Sequence, residues 1–229
     1  MFQKACSVIK ESVYGIECIT PIKGGKAVLS NATAFMVSPG VLVTCAHVAH
    51  IDGDPKKSLH QSFRVIRAPE IGLKMEIAQF IGEDVVSDVA FLRVSNPRST
   101  KSVMVDTKIQ NIGTSCGSLG FPLGCIDPKG NFWLDLRFQG AFISSYNTNG
   151  NFYEVDSLMY SGSSGSPGFT SDGHVIGMQS KSRTGWPTEC ERKDSNKGRP
   201  KEETERFAIS IWVPIAQIIK IALQYKIVI

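Results

Sequence analysis

Short β-rich runs, separated at close intervals by turn residues, dominate this 229-residue chain and point to an all-β architecture. Ser12-Val-Tyr-Gly-Ile-Glu-Cys-Ile-Thr20 reads as a strand that stops before Pro21, and Lys23-Gly-Gly-Lys26 as a hairpin-type turn. Strands are then expected at 27–29, 32–37 and 41–44, with Ser38-Pro39-Gly40 turning the chain between the last two. After Asp52-Gly-Asp-Pro55 come runs at 62–68, 75–81 and 89–94. A polar stretch over 96–107 connects to a second series at 115–120, 132–137, 138–144, 152–156, 174–180 and 207–212. Many short strands with few helical periods fold as a sandwich or barrel. Helices are expected only over 2–10 and, after Pro214, over 215–225.

Composition limits the partners. The chain is 42% hydrophobic and 20% charged, ordinary for a globular protein. A net charge of +4 without a dense basic block gives no reason to invoke nucleic acid. The long apolar run over 207–219 is interrupted by Ser210, Pro214 and Gln217, so no membrane span is expected. In the stretch 189–206, twelve of eighteen residues are charged, six of each sign, which cannot bury a core and reads as a solvated loop. Met1-Phe-Gln-Lys-Ala-Cys-Ser-Val-Ile-Lys10 lacks the apolar core of a signal peptide, so an intracellular, cytoplasmic setting is expected. The six cysteines include no Cys-x-x-Cys pair, which makes reduced, mostly buried thiols the expectation over a structural zinc site.

One stretch suggests chemistry. Tyr160-Ser161-Gly162-Ser163-Ser164-Gly165-Ser166-Pro167-Gly168-Phe169 holds three glycines, a proline and four serines. Glycine permits sharp turns and close backbone approach, so the stretch is either a slack Gly/Ser loop or a tight turn presenting a serine beside free N–H groups. A serine nucleophile needs a base within hydrogen-bond reach, and that base needs an orienting group. Of the four histidines, His60 and His174 sit in turn-like settings and read as surface residues. His47 ends an apolar strand in Val43-Thr-Cys-Ala-His-Val-Ala-His50, after small Ala46. A second reading pairs His47 and His50 with Asp52 or Asp54 as metal ligands, although the Glu that follows the first His in zinc hydrolase helices is missing. Asp88 lies directly before the apolar run 89–94, so it should be partly buried and should require a donor such as an imidazole N–H.

These three pieces resemble a family. Thr44-Cys-Ala-His47-Val, Ser87-Asp88-Val-Ala-Phe-Leu and Gly162-Ser-Ser164-Gly-Ser-Pro167 are similar, in order, to the His, Asp and Ser motifs of the chymotrypsin/trypsin-like serine peptidases. Ser118-Leu-Gly-Phe-Pro-Leu-Gly124, Gly140-Ala-Phe-Ile-Ser-Ser145 and Glu154-Val-Asp156 look like the HtrA-like or glutamyl-endopeptidase-like branch. The resemblance covers about residues 12–220 and implies two six-stranded antiparallel β-barrels with a short C-terminal helix. One barrel, within 1–100, would carry His47 and Asp88; the other, within 101–229, would carry Ser164 and the charged loop 189–206. It also implies Ser164 as nucleophile, with Ser166 as the rival, His47 as general base and then acid, and Asp88 as orienting carboxylate. The N–H groups of Gly162 and Ser164 would form an oxyanion hole.

By the same resemblance the pocket floor falls near Leu158, with Tyr160 and Ser161 beside it and Gln179, Ser180, Lys181 and Ser182 opposite. No acid sits there, so specificity should not be trypsin-like, and an apolar or small side chain fits better. Three departures matter. Ser163 replaces the acid that receives a new N-terminus in trypsin-like zymogens, Val48 replaces the cysteine after the His, and no extension of PDZ length follows. The implied activity is serine endopeptidase action on protein or peptide substrates, without metal or cofactor. The alternative is a trypsin-fold binding or scaffolding protein without activity.

Overall fold

The computed structural model describes residues 1–22, 26–68, 75–122, 125–126, 132–133, 135–185 and 205–229. The first barrel consists of β1 (Val13–Ile22), β2 (Lys26–Ser38), β3 (Val41–Thr44), β4 (Ser62–Arg67), β5 (Glu76–Asp84) and β6 (Val89–Val94). They close antiparallel in the order β1-β2-β3-β6-β5-β4. β3 is buried throughout and β6 nearly so, because one face fills the barrel and the other is covered by the rest of the molecule.

The second barrel follows β7 (Met104–Val105) and is built from β8 (Ser115–Gly120), β11 (Arg137–Asn147), β12 (Phe152–Val155), β13 (Pro167–Thr170), β14 (His174–Gly185) and β15 (Glu205–Pro214). Its order is β13-β8-β11-β12-β15-β14, and the pairing of β14 with β13 closes it. β7 adds a short parallel strand outside β14, while β9 (Cys125–Ile126) and β10 (Phe132–Trp133) pair as a separate ribbon. Trp212 fills this barrel together with Ile143, Tyr153, Val155 and Ile176. Its indole N–H donates to Ser210 Oγ at 2.8 Å, so the buried polar atom of the ring is satisfied.

The helices tie the two barrels together. α1 (Gln3–Ile9) precedes the first barrel and buries Ala5 and Ile9, four residues apart and therefore on one face. Phe2, at its start, packs at a tilt on Phe138 of β11 and edge-on against Phe169 of β13 in the second barrel. α3 (Ile215–Gln224) follows Pro214 and buries Ile215, Ile218, Ile221 and Ala222. Beyond its end, Tyr225 packs on Phe91 of the first barrel; its hydroxyl donates to Glu83 O at 2.6 Å and accepts from Glu83 N at 3.1 Å. Phe2 and Tyr225, next to the two helices, thus each place a ring on the barrel distant from them in sequence.

Several boundaries differ from those expected. β1 runs through Pro21 because its pairing with β4 ends at Ile19, so only β2 remains beside Pro21 and the missing N–H is not needed on the other side. The runs 27–29 and 32–37 form the single strand β2, since Ser30 and Asn31 pair with Cys18 and Glu17. The run 132–137 is divided between β10 and the start of β11, and β13, opened by Pro167, is a strand the composition hid. Residues 23–25 of the expected turn, 123–124 of the Gly-x-Pro motif and 189–204 of the charged stretch lie outside the described residues. No helix among the described residues is long and apolar enough to cross a membrane. His60 is 4% exposed, not a surface residue, because Thr20 Oγ1 at 2.9 Å and Ser30 Oγ at 3.4 Å give both ring nitrogens a partner.

Packing in the second barrel leaves no room at Gly168, where a Cβ would stand 2.1 Å from the Trp212 ring. Gly168→Ala should lower the unfolding free energy by about 1–3 kcal/mol, read from urea denaturation.

Candidate functional site

His47 sits on α2 (Ala46–Ala49), a single helical turn directly after β3. Ala46, Val48 and Ala49 are buried and hold the turn in place, which leaves the imidazole at the rim with 30% of its side chain exposed. Asp88 ends the turn between β5 and β6, with φ 57°, a left-handed conformation that Asp tolerates better than most residues. That turn is braced by Asp84 Oδ1, which accepts from Ser87 N at 2.7 Å, and by Gln217 of α3, whose amide donates to Ser87 Oγ at 3.2 Å.

Asp88 accepts hydrogen bonds from His47 N at 2.9 Å, from His47 Nδ1 at 2.9–3.0 Å and from Ser180 Oγ at 2.5 Å. Burial pushes its carboxyl up, but the bonds and charge of His47, then the Ser180 hydroxyl, outweigh this and hold it below the ordinary aspartate value. A carboxylate only accepts, so Nδ1 carries a proton, and in the neutral ring Nε2 is then left with a lone pair. Ser164 Oγ lies 2.9 Å from that Nε2. Asp88, His47 and Ser164 therefore form one hydrogen-bonded line.

The turn bearing Ser164 is fixed from the first barrel. Thr33, fully buried on β2, donates through its N–H to Ser164 O at 2.9 Å and through Oγ1 to Gly162 O at 2.8 Å. The same hydroxyl accepts from Phe121 N at 2.9 Å, and Thr33 O accepts from Thr44 Oγ1 at 2.8 Å. Glycine is required at 165, where φ is +84° and a Cβ would fall 2.0 Å from Thr33 O. Gly162, φ +92°, is equally confined by Phe121 O at 2.3 Å. Among the described residues no acceptor is bonded to the N–H of Gly162 or of Ser164. Ser166 Oγ lies against Gly120, where a Cβ would stand 2.0 Å away, and bonds to no histidine.

Ser180 owes its position to a β-bulge. Gln179 pairs with Trp212 and Lys181 with Ile211, so Ser180 is the extra residue, free to turn its hydroxyl to Asp88. A cleft of about 500 Å³ opens over His47 and Ser164, with Tyr160, Ser161, Ser180, Lys181 and Ser182 among its walls. Pro55, Val85, Val86 and Met159 add an apolar side that the sequence reading missed. Leu158 is 46% exposed and lines neither this cleft nor the cavity of about 310 Å³ beside it, whereas Gln179 lines the latter. Thr33 was missed too; its only signal was a hydroxyl within the apolar run 32–37.

The four residues of the metal reading do not converge. His50 is held by Glu83 at 2.9 Å and Lys57 O at 2.7 Å, Asp52 pairs with Lys57 at 2.7 Å, and Asp54 caps Lys56 N at 3.0 Å. Among the described residues, the side chains of metal-ligand type that do converge are Cys45, His47 and Asp88. Burial and the charge of Asp88 push the Cys45 thiol well above its ordinary value, so it stays protonated and donates to Gln179 O at 3.3 Å. The trio is already satisfied as a hydrogen-bonded group. Cys6, Cys18, Cys45 and Cys116 are free thiols, and burial raises Cys18 and Cys116 to about 12. His174, at the start of β14, pairs with Asp172 at 3.0 Å and lines neither cavity.

The sequence profile of the trypsin-like peptidase domain matches residues 32–178 of this chain. Among solved structures, the serine endoprotease from Yersinia pestis superposes with a TM-score of 0.69 at 15% identity. The alignment covers 98% of this chain and 66% of that one, and at this identity the likeness speaks for the fold. No curated protein matches the sequence.

Because Asp88 is held below the ordinary carboxylate value in the folded state, its contribution to stability is complete above about pH 4 and is lost as pH falls below that. Urea denaturation between pH 7 and pH 3 should show this loss, and Asp88→Asn should flatten it; an unchanged slope in the variant counts against the assignment.

Proposed function

The chain belongs to the trypsin-like peptidase family, and on that premise we propose that it is an active serine endopeptidase with Ser164 as nucleophile. The observation that carries this reading is the line from Asp88 through His47 to Ser164, with both links at 2.9 Å. A peptide lies in the cleft over Ser164 with its scissile carbonyl carbon against Oγ. His47 Nε2 takes the hydroxyl proton as Oγ bonds to that carbon, and Asp88 stabilises the imidazolium that forms. The carbonyl oxygen gains negative charge and is received by the N–H groups of Gly162 and Ser164, worth roughly 3 kcal/mol or more in the transition state. His47 then gives its proton to the departing amine, which leaves an acyl-enzyme on Ser164. A water then bonds to the acyl carbon as His47 takes its proton, and the ester bond to Ser164 Oγ breaks as His47 returns that proton to Oγ, which releases the acid and restores the serine.

Thr33 acts as a positioning residue, since its hydroxyl bonds both Gly162 O and Phe121 N. Thr33→Val keeps the shape but leaves two buried backbone groups unpaired, costing about 2–4 kcal/mol. It should lower kcat for peptide hydrolysis much more than it alters KM, and Thr33→Ser should restore most of the loss.

Ser164→Ala should lower kcat by roughly 10⁶-fold and abolish labelling by a fluorophosphonate, with the circular-dichroism spectrum unchanged. Labelling that persists in this variant sinks the nucleophile assignment. A wild-type protein that neither labels nor cuts casein or a peptide library would instead be a binding protein on this fold, and inhibition by EDTA without inhibition by a serine reagent would favour a metal-dependent hydrolase.

A further inference from the structure

The tip of the turn that presents Asp88 stands in solvent. Val85 is 47% and Val86 97% exposed, and Asp88 itself holds the left-handed φ of 57°. Within the turn, Ser87 N donates to Asp84 Oδ1 at 2.7 Å and Asp88 N to Val85 O at 3.3 Å, the second a long bond. A residue in a sparsely populated backbone region stays there only when its surroundings hold it, so an exposed turn of this kind needs support from outside.

That support comes through a run of side chains that begins in the second barrel. Tyr146, on β11, packs with its ring centroid 5.2 Å from that of the buried Tyr153 on β12. Its hydroxyl donates to Asn151 Oδ1 at 2.7 Å, Asn151 Nδ2 donates to Gln217 Oε1 at 3.0 Å, and Gln217 Nε2 donates to Ser87 Oγ at 3.2 Å. Each amide accepts at one end and donates at the other, so the group before it sets its orientation. Both amides stand on fixed backbone. Asn151 lies in the turn between β11 and β12 with φ 49°, a conformation asparagine tolerates, and Gly150 N closes that turn on Asn147 Oδ1 at 2.7 Å. Gln217 projects from the first turn of α3, which is anchored by the buried Ile215 and Ile218.

The run ends one residue from the carboxylate that orients His47. Hydrogen bonds weaken steeply as they are misaligned, and Asp88 must serve His47 N and Nδ1 together, both at 2.9–3.0 Å. A shift of the Ser87–Asp88 peptide therefore acts on the imidazole. Neither Gln217 nor Asn151 lines the cleft over Ser164 or the cavity beside Tyr160, so neither is placed to touch a substrate there.

Resting on the reading of Ser164 as nucleophile, we propose that Gln217 is a positioning residue for the reaction. Oriented by Tyr146 and Asn151, it holds Ser87 so that the Asp88 carboxylate keeps its bonds to His47 while the ring takes and returns the proton. Its contribution falls on the transition state, where the imidazolium forms, and not on substrate binding. An interaction of that kind appears in kcat and leaves KM alone.

The test compares Gln217→Leu, Ser87→Ala and the double variant, with kcat measured per site titrated by a fluorophosphonate. Each single variant should lower kcat at least about 5-fold, the rate equivalent of one hydrogen bond, and leave KM within about 2-fold. The double variant should be no slower than the slower single one, since both remove the same bond. Asn151→Gly, which keeps the left-handed backbone, should lower kcat in the same sense by releasing the Gln217 amide. A purely structural role would lower the urea midpoint and leave kcat per titrated site unchanged; that result overturns the proposal, and so do losses that multiply in the double variant. The proton on His47 Nδ1, followed by NMR, gives a readout without turnover. It should exchange with water faster in Gln217→Leu than in the wild type, and equal exchange overturns the proposal. If the wild-type protein neither labels nor cuts, the preceding reading fails, and this proton still decides whether Gln217 holds Asp88 on His47.

Discussion

A carboxylate largely removed from water must be given donors, and at Asp88 those donors come from both halves of the molecule. The backbone and ring of His47 approach from the first barrel, and the hydroxyl of Ser180 approaches from the second. A buried charge that lost these partners would be strongly destabilising, on the order of 3–5 kcal/mol for a broken buried pair. The relative placement of α2, the β5–β6 turn and the bulge in β14 is therefore constrained by one side chain. The same bonds fix the tautomer of His47 and so leave Nε2 facing Ser164.

A second junction holds the serine itself. Thr33 uses its N–H, its carbonyl and both functions of its hydroxyl, three of the four bonds going to the second barrel and one to Thr44 within the first. Phe2 and Tyr225 reinforce the union from either end of the chain, each ring packed on the barrel distant from it in sequence. The cleft lies between parts pinned at several points, which keeps Ser164 Oγ within hydrogen-bond distance of His47 Nε2.

Local chemistry made much of this legible. The alternation of short apolar runs and turn residues gave the all-β class, and strands β3, β6 and β8 lie where the pattern placed them, at 41–44, 89–94 and 115–120. Boundaries failed where a long-range pairing overrode a local signal. Pro21 continues in β1 because one neighbour is absent there, and Ser30 and Asn31 stay in β2 because β1 pairs across them. His60 looked exposed because the hydroxyls that let it be buried, on Thr20 and Ser30, are 40 and 30 residues away.

The sequence by itself singled out the three candidate residues: a serine among glycines, a histidine ending an apolar strand and an aspartate before another. Those signals are local, set by φ, ψ and burial pattern within a few residues. Only the tertiary structure decided how they meet and what surrounds them. The bond from Thr33 to Gly162 spans 129 residues and that from Ser180 to Asp88 spans 92, distances over which no spacing rule operates. The run of bonds from Tyr146 through Asn151 and Gln217 to Ser87 is likewise invisible in the chain, because whether polar side chains meet depends on every element packed around them.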